Sequence, residues 1–366
     1  MLKSNAESVR TGTTDSQTNT ENTQKNTADI QVNTPPKKKR KPLRVTLCSI
    51  AVLLTALVFF TLVSPIPVSF IIRAAFTKKI AVAPDNYEEI SSQVEVFKNL
   101  RYPSNYKDNT ADIYLPKNSG MPLPIVLWVH GGAFVGGDKE DIAVYATALA
   151  AQGLAVVCIN YRRAPEAKYP IPVVQTNEAY LWLKDIAGSY AFDLERFVIA
   201  GDSAGAHIAA QFAAIQSNAD YAAEMKIEQS VPLHTLKAAL LFCGPFDVAK
   251  IDESNNFVMN FLLGKAAQAY FGSKDWGTHF AHQATIANHI TGSFPPVFIT
   301  DGNDLSFEEH GSELADALRA MGVFAETYFV SPGAEKTPHE YQFVMNTPAG
   351  QESFERVTEF IKQRVK

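Results

Sequence analysis

The chain has 366 residues, 46% of them hydrophobic and 19% charged, with a formal net charge of −5. Such a composition belongs to a globular protein with a substantial core and excludes a wholly disordered or collagen-like chain. The mild acidity leaves no electrostatic footprint for a nucleic-acid partner.

The charge is unevenly placed. Residues 1–42 hold eight Lys/Arg against four Asp/Glu, so their +4 leaves −9 on the remainder. Residues 1–36 are rich in Thr, Asn, Ser and Gln and lack apolar periodicity. Such a segment buries too little surface to offset the entropy of ordering, and disorder is expected. With Lys37-Lys38-Lys39-Arg40-Lys41, residues 1–42 read as a basic cytoplasmic tail.

An uncharged apolar stretch, Val45–Val63, follows. Its length as a helix is about 28 Å, close to the hydrocarbon thickness of a bilayer. A buried helix is seldom apolar on every face over such a distance, so residues 43–63 are predicted to span a membrane. Ser64-Pro65-Ile66-Pro67 follows without an adjacent small-x-small cleavage site, which favours an uncleaved anchor over a signal peptide. Cys48 sits at the start of the apolar run, the wrong end for a lipoprotein signal. Lys37 to Lys41 and Arg44 precede the span, against Arg73, Lys78 and Lys79 after it. The positive-inside rule then predicts a cytoplasmic N-terminus, a single pass through the plasma membrane, and the large domain outside. Residues 64–92 are a juxtamembrane connector. Within it, 65–76 read either as a short helix at the membrane surface or as a plain connector packed on the domain.

From residue 93 to 366 strands alternate with helices. Strand-like apolar runs are Val94–Leu100, Ala111–Leu115, Ile125–Val129, Leu154–Asn160, Phe197–Ala200, Leu236–Cys243, Val297–Thr300 and Ala325–Val330. Helical patterns are Ile142–Gln152, Val174–Ile186, Ala204–Gln216, Glu308–Met321 and Ser353–Arg364. Runs without polar alternation indicate strands covered on both faces. The expected fold class is α/β, an eight-stranded, mostly parallel sheet flanked by helices. The long segment Gly244–Phe294 contains Phe246, Phe257, Phe261, Tyr270, Phe271 and Trp276. It is expected to form part of a small cap lining an acyl or alcohol pocket, or one whose aromatics hold only its own core.

Gly201-Asp202-Ser203-Ala204-Gly205 carries the chemistry. It joins a strand to a helix, and its glycines permit the tight turn that lifts a serine hydroxyl clear of a sheet. The bland reading is a serine in an N-capping turn. His130-Gly131-Gly132-Ala133 directly follows another strand, and Gly136-Gly137-Asp138 comes shortly after. Consecutive glycines let backbone N–H groups face a cavity without a Cβ in the way, as stabilising an oxyanion requires. The expected donors are Gly131, Gly132 and Ala204.

These two motifs, with Tyr161-Arg162-Arg163-Ala164-Pro165-Glu166, resemble the hormone-sensitive-lipase branch of the α/β-hydrolases. The resemblance spans roughly residues 94–366 and implies an esterase-like fold, metal-free acyl-enzyme chemistry and a cap. In that fold the acid and then the histidine follow the serine. His310 lies too near the candidate acids, whereas His339 lies in the loop Ser331–Glu340 after the last strand; His339 is the expected base. His130 is expected to order the oxyanion loop and His207 to be a packing residue. His234, His279, His282 and His289 read as surface or cap residues. The acid lies among Asp301, Asp304 and Asp247, and the resemblance places it at Asp304, in Asp301-Gly302-Asn303-Asp304. The expected nucleophile–base–acid set is therefore Ser203, His339 and Asp304.

Three cysteines, Cys48, Cys158 and Cys243, form no disulfide framework and no metal-ligand spacing. Neither a metal nor a cofactor is expected. The leading function is hydrolysis of carboxylic esters, with a small-molecule or lipid-like substrate, membrane attachment through one helix, and no nucleic acid. An amidase, formamidase or peptidase would use the same residues. A non-catalytic receptor on this fold usually lacks the nucleophile or the histidine.

Overall fold

The computed structural model describes residues 43–75, 81–117, 119–120, 122–330 and 336–366. The tail expected over 1–42 lies outside them, as do Lys78, Lys79 and the first half of the loop before His339. The chain divides into two units, Met1–Leu53 and Leu54–Lys366. Helix α1, Leu43–Val63, continues from the first into the second. Its Val45–Val63 stretch has a mean hydropathy of 2.5 and no buried residue, and is long and apolar enough to cross a membrane. A second short helix, α2, runs Ile66–Ala75.

The larger unit is built on one eight-stranded sheet. Its strands are β1 Val94–Arg101, β2 Thr110–Pro116, β3 Leu123–Val129, β4 Ala155–Ile159, β5 Phe192–Asp202, β6 Leu236–Phe242, β7 Val297–Asp301 and β8 Ala325–Phe329. All eight expected strands are present, in the order β1-β2-β4-β3-β5-β6-β7-β8. β2 pairs antiparallel with both β1 and β4, and the other five pairings are parallel.

Every residue of β3, β4 and β7 is buried. Strand residues alternate between the two faces, so each face feeds its own core. Ile125, Leu127 and Val129 of β3 belong with Ile208 and Phe212 of helix Ala204–Ser217. Val126 and Trp128 belong with Tyr145 of helix Ala143–Ala150 and Phe360 of helix Pro348–Arg364. This two-sided cover is why the strands read as continuous apolar runs.

The sheet positions the site by its carboxyl edge, where ligands bind in open α/β sheets. β3 ends just before His130, β5 just before Ser203, and β7 on Asp301, while the chain leaving β8 returns to that edge with His339. Above it, the segment after β6 forms a short turn, Val248–Lys250, then helix Phe257–Phe271 and three further short turns before β7.

Candidate active site

Ser203 stands on the turn between β5 and the helix Ala204–Ser217 with φ 50° and ψ −120°. That backbone conformation is strained for a residue with a side chain and costs on the order of 1–3 kcal/mol. The surroundings enforce it. A Cβ at Gly201 would lie 2.3 Å from the Gly205 carbonyl oxygen, and one at Gly205 would lie 2.1 Å from that of Val129. The Ser203 N–H donates to the Phe242 carbonyl at 2.7 Å. Both glycines are thus required by close approach of backbone to backbone.

His339 Nε2 lies 3.0 Å from Ser203 Oγ. On the other side of the ring, Nδ1 is 3.4 Å from Oδ1 of Asp301. This is an ion-pair distance, longer than a tight hydrogen bond. The Asp301 carboxylate is buried and held by the Gly302 and Phe307 N–H groups, each donating at 2.7 Å. Burial alone would lower the His339 pKa, but Asp301, Glu340 and Asp202 together raise it to about 9.

The carboxylate facing the imidazole therefore belongs to Asp301, and Asp304, the acid expected from the sequence, lies elsewhere. Its carboxylate is at the cavity mouth, 3.4 Å from Lys336 Nζ. Asp304 supports the histidine through its backbone instead. Its N–H donates to the Thr337 carbonyl at 3.1 Å, and its carbonyl accepts from the His339 N–H at 3.3 Å. The reason is geometric: Asp301 is the last residue of β7 and points from a fixed strand end, whereas Asp304 has already turned into the loop. Asp247, the third candidate, caps a short turn by accepting from the Ala249 N–H at 3.0 Å.

The oxyanion loop also departs from expectation at one position. The Gly131 N–H donates to Asp202 Oδ2 at 2.7 Å and is occupied. Among the described residues, no acceptor is paired with the N–H groups of Gly132, Ala133 or Ala204. Ala133 and Ala204 line the same cavity as Ser203. Gly132 has φ 114°, and a Cβ there would meet the Gly136 carbonyl oxygen at 2.3 Å. The loop is anchored by His130, whose Nδ1 lies 2.6 Å from the Gly131 carbonyl and whose ring stacks on Tyr161. The Tyr161 hydroxyl donates to the His130 carbonyl at 3.0 Å.

Two buried acids escaped the sequence reading. Asp202 Oδ1 accepts from Trp128 Nε1 at 2.7 Å, while Oδ2 holds Gly131. Glu340 Oε1 reaches the same spot, since a Cβ at Gly131 would lie 2.4 Å from Asp202 Oδ2 and 3.0 Å from Glu340 Oε1. It also lies 4.0 Å from His339 Nε2. Burial pushes both carboxyls above the usual carboxylate range, and Glu340 pushes Asp202 further. This pair joins the oxyanion loop to the histidine loop. The only sequence hint was an acid beside each of Ser203 and His339.

His207 is buried, with Nε2 2.9 Å from the Ala284 carbonyl, and so holds the cap to the helix after Ser203. His234 pairs with Glu195 on the exposed surface, and His289 stacks on Tyr221. Cys243, Asp301 and His339 bring ligand atoms within 4.8 Å of one another. Burial pushes the Cys243 thiol well up, with Asp301 adding to it.

Ser203 and His339 open on a cavity of about 410 Å³. Its walls are largely aliphatic: Met259, Leu262 and Leu263 come from helix Phe257–Phe271, and Ile71, Ile72 and Ala75 from α2. The aromatic residues of the cap do other work. Phe246, Tyr270, Phe271 and Trp276 are buried in the core, and Phe257 is 84% exposed. Tyr270 stacks on Phe134 with ring centres 4.0 Å apart, fixing the cap to the oxyanion loop.

The family model BD-FAE matches residues 111–314. Among curated proteins, the isoprenylcysteine alpha-carbonyl methylesterase ICME of Arabidopsis thaliana is 26% identical over 230 residues, covering 61% of this chain and 52% of that protein. Carboxylesterase NlhH of Mycobacterium tuberculosis is 30% identical over 218 residues, covering 58% of this chain and 66% of its own. This chain thus spans about half to two thirds of the length of these relatives. Among solved structures, esterase B from Lactobacillus rhamnosis superposes with a TM-score of 0.67 at 20% identity, over 86% of this chain and 96% of that one. A likeness at that identity establishes the fold.

Proposed function

Because this chain belongs to the BD-FAE family and has the α/β-hydrolase fold, we propose that it is a carboxylic-ester hydrolase working through Ser203, His339 and Asp301. The observation that carries the reading is the 3.0 Å approach of His339 Nε2 to a hydroxyl held on a strained elbow.

The chemistry follows from that geometry. Ser203 Oγ attacks the acyl carbon and passes its proton to Nε2 of neutral His339. The carbonyl oxygen gains charge as it does so, and the N–H groups of Gly132, Ala133 and Ala204 supply hydrogen bonds to it. His339 then gives the proton to the leaving alkoxide, and an acyl group remains on Ser203. Water, deprotonated by the same imidazole, attacks the acyl-enzyme and releases the acid. Asp301 fixes the tautomer that leaves Nε2 free and stabilises the imidazolium.

The membrane reading belongs to the same proposal. Helix α1 anchors the enzyme in the plasma membrane, with the tail cytoplasmic and the hydrolase domain outside. Its apolar length and the basic residues before it support this. Extraction of the full chain from membranes by alkaline carbonate would contradict it.

The decisive experiment is labelling with a fluorophosphonate probe alongside hydrolysis of p-nitrophenyl acetate. Labelling and turnover are expected in the parent chain and absent in Ser203→Ala. A Ser203→Ala chain that still takes the probe and turns over the ester would remove the assignment.

A further inference from the structure

Helix α2 is separated from α1 by Ser64 and Pro65 alone. It is also a wall of the cavity above Ser203, through Ile71, Ile72 and Ala75. The stretch that leaves the apolar span therefore becomes part of the substrate chamber. α2 packs on helix Phe257–Phe271, and Lys265 Nζ of that helix donates to the Leu62 carbonyl at the end of α1 at 2.6 Å.

α2 is bolted in place. Arg73 donates to the Val135 carbonyl at 2.7 Å and the Ala164 carbonyl at 2.8 Å, and grips both Glu166 oxygens at 2.8 and 2.7 Å. Val68 and Ile72 are buried beneath it. Its outer face is apolar and uncovered: Ile66 is 43% exposed, Phe70 53% and Ile71 62%. The start of the facing helix is apolar and exposed at Phe257 and Val258, and Leu305, which lines the cavity, is 57% exposed. A water-borne polar substrate gives no reason to ring a chamber with exposed aliphatic and aromatic side chains next to a span. A chain arriving from lipid does.

We infer that the cavity takes the apolar chain of a neutral ester dissolved in the bilayer, and that α2 and helix Phe257–Phe271 form the entrance from the lipid phase to Ser203. The inference rests on the ester-hydrolase reading. Ile71 is its central residue, since it faces both the cavity and the outside. Among the described residues, no ionisable side chain lines the chamber apart from His339 and Asp304, which is paired with Lys336. It discriminates by apolar contact, in which each added methylene improves kcat/KM until the space is filled.

The test uses the full chain in phosphatidylcholine vesicles. The probes are p-nitrophenyl esters from acetate to dodecanoate and, as a second series, alkyl acetates of rising alcohol length. The parent is expected to favour the longer chain in at least one series. Ile71→Glu is expected to lower the long-to-short ratio of kcat/KM about tenfold, and Ile71→Leu to keep it. A parent that is blind to chain length in both series overturns the inference, as does an unchanged ratio in Ile71→Glu. Fluorophosphonate labelling of each variant reports a folded site. Absence of labelling and of acetate hydrolysis in the parent would instead strike the esterase reading itself.

Discussion

The two sides of the cavity are made by opposite means. On the sheet side, Gly132, Gly201 and Gly205 sit where backbone touches backbone, and a Cβ at any of them would lie 2.1–2.3 Å from a carbonyl oxygen. On the cap side, Met259, Leu262 and Leu263 face α2 across aliphatic contacts, and several of these residues are only half-buried. The first is geometry that admits a single solution. The second is a volume that many apolar residues could fill, and the difference separates what performs the chemistry from what selects the substrate.

The comparison is sharpest if substitutions on the two sides differ by orders of magnitude. Asp301→Asn is expected to lower kcat on the order of 10⁴-fold, because the imidazole loses its orienting charge. Asp304→Asn is expected to change it by less than about threefold, since that carboxylate meets Lys336 and its backbone role survives. Steady-state kinetics on the two variants decides the acid, and the reverse order would restore Asp304. Gly132→Ala should cost about 10²–10³ in kcat, as the loop must shift to admit a methyl group and its N–H donors move with it.

The pH profile gives a smaller effect of definite sign. His339 acts as a base only when neutral, and its pKa stands at about 9. Thus kcat/KM should rise as pH rises through that value and fall on the acid side. Glu340→Gln removes one of the charges that favour the imidazolium, so the inflection should move to lower pH with kcat at the plateau largely kept. A profile that stays in place would separate Glu340 from the histidine. Smallest of all, Leu262→Ala on the cap side should lower the melting temperature by no more than about 4 °C, a cost near 1 kcal/mol for a half-buried side chain. A larger fall would mean that the cap is as tightly determined as the sheet.

The same contrast governs what could be read beforehand. Each strand was visible because two-sided burial writes an uninterrupted apolar run, as in Leu123–Val129. The elbow was visible because its constraint is local and two glycines at fixed spacing record it. The choice between Asp301 and Asp304 turned on three residues at a strand exit, where neither composition nor period distinguishes a fixed carboxylate from one in the loop. Gly131 looked like a donor to substrate because nothing local reveals that Asp202 has already claimed its N–H. Glu340 carried no pattern at all. The connector after the span admitted two readings, and the one in which it packs on the domain left its place in the cavity wall invisible. That role comes from residues distant in the chain, and apolar periodicity is the same for a wall as for a spacer.

The Arg73 clamp has a practical meaning for anyone who wishes to free this hydrolase from its anchor. Cutting at Ser64 leaves the guanidinium gripping Glu166 and the chamber closed on that flank. Cutting after Ala75 removes the same flank and bares Leu262 and Leu263 to water, so the shortened enzyme would report the preferences of a different, wider vessel. Where the anchor is severed thus decides which enzyme is being studied.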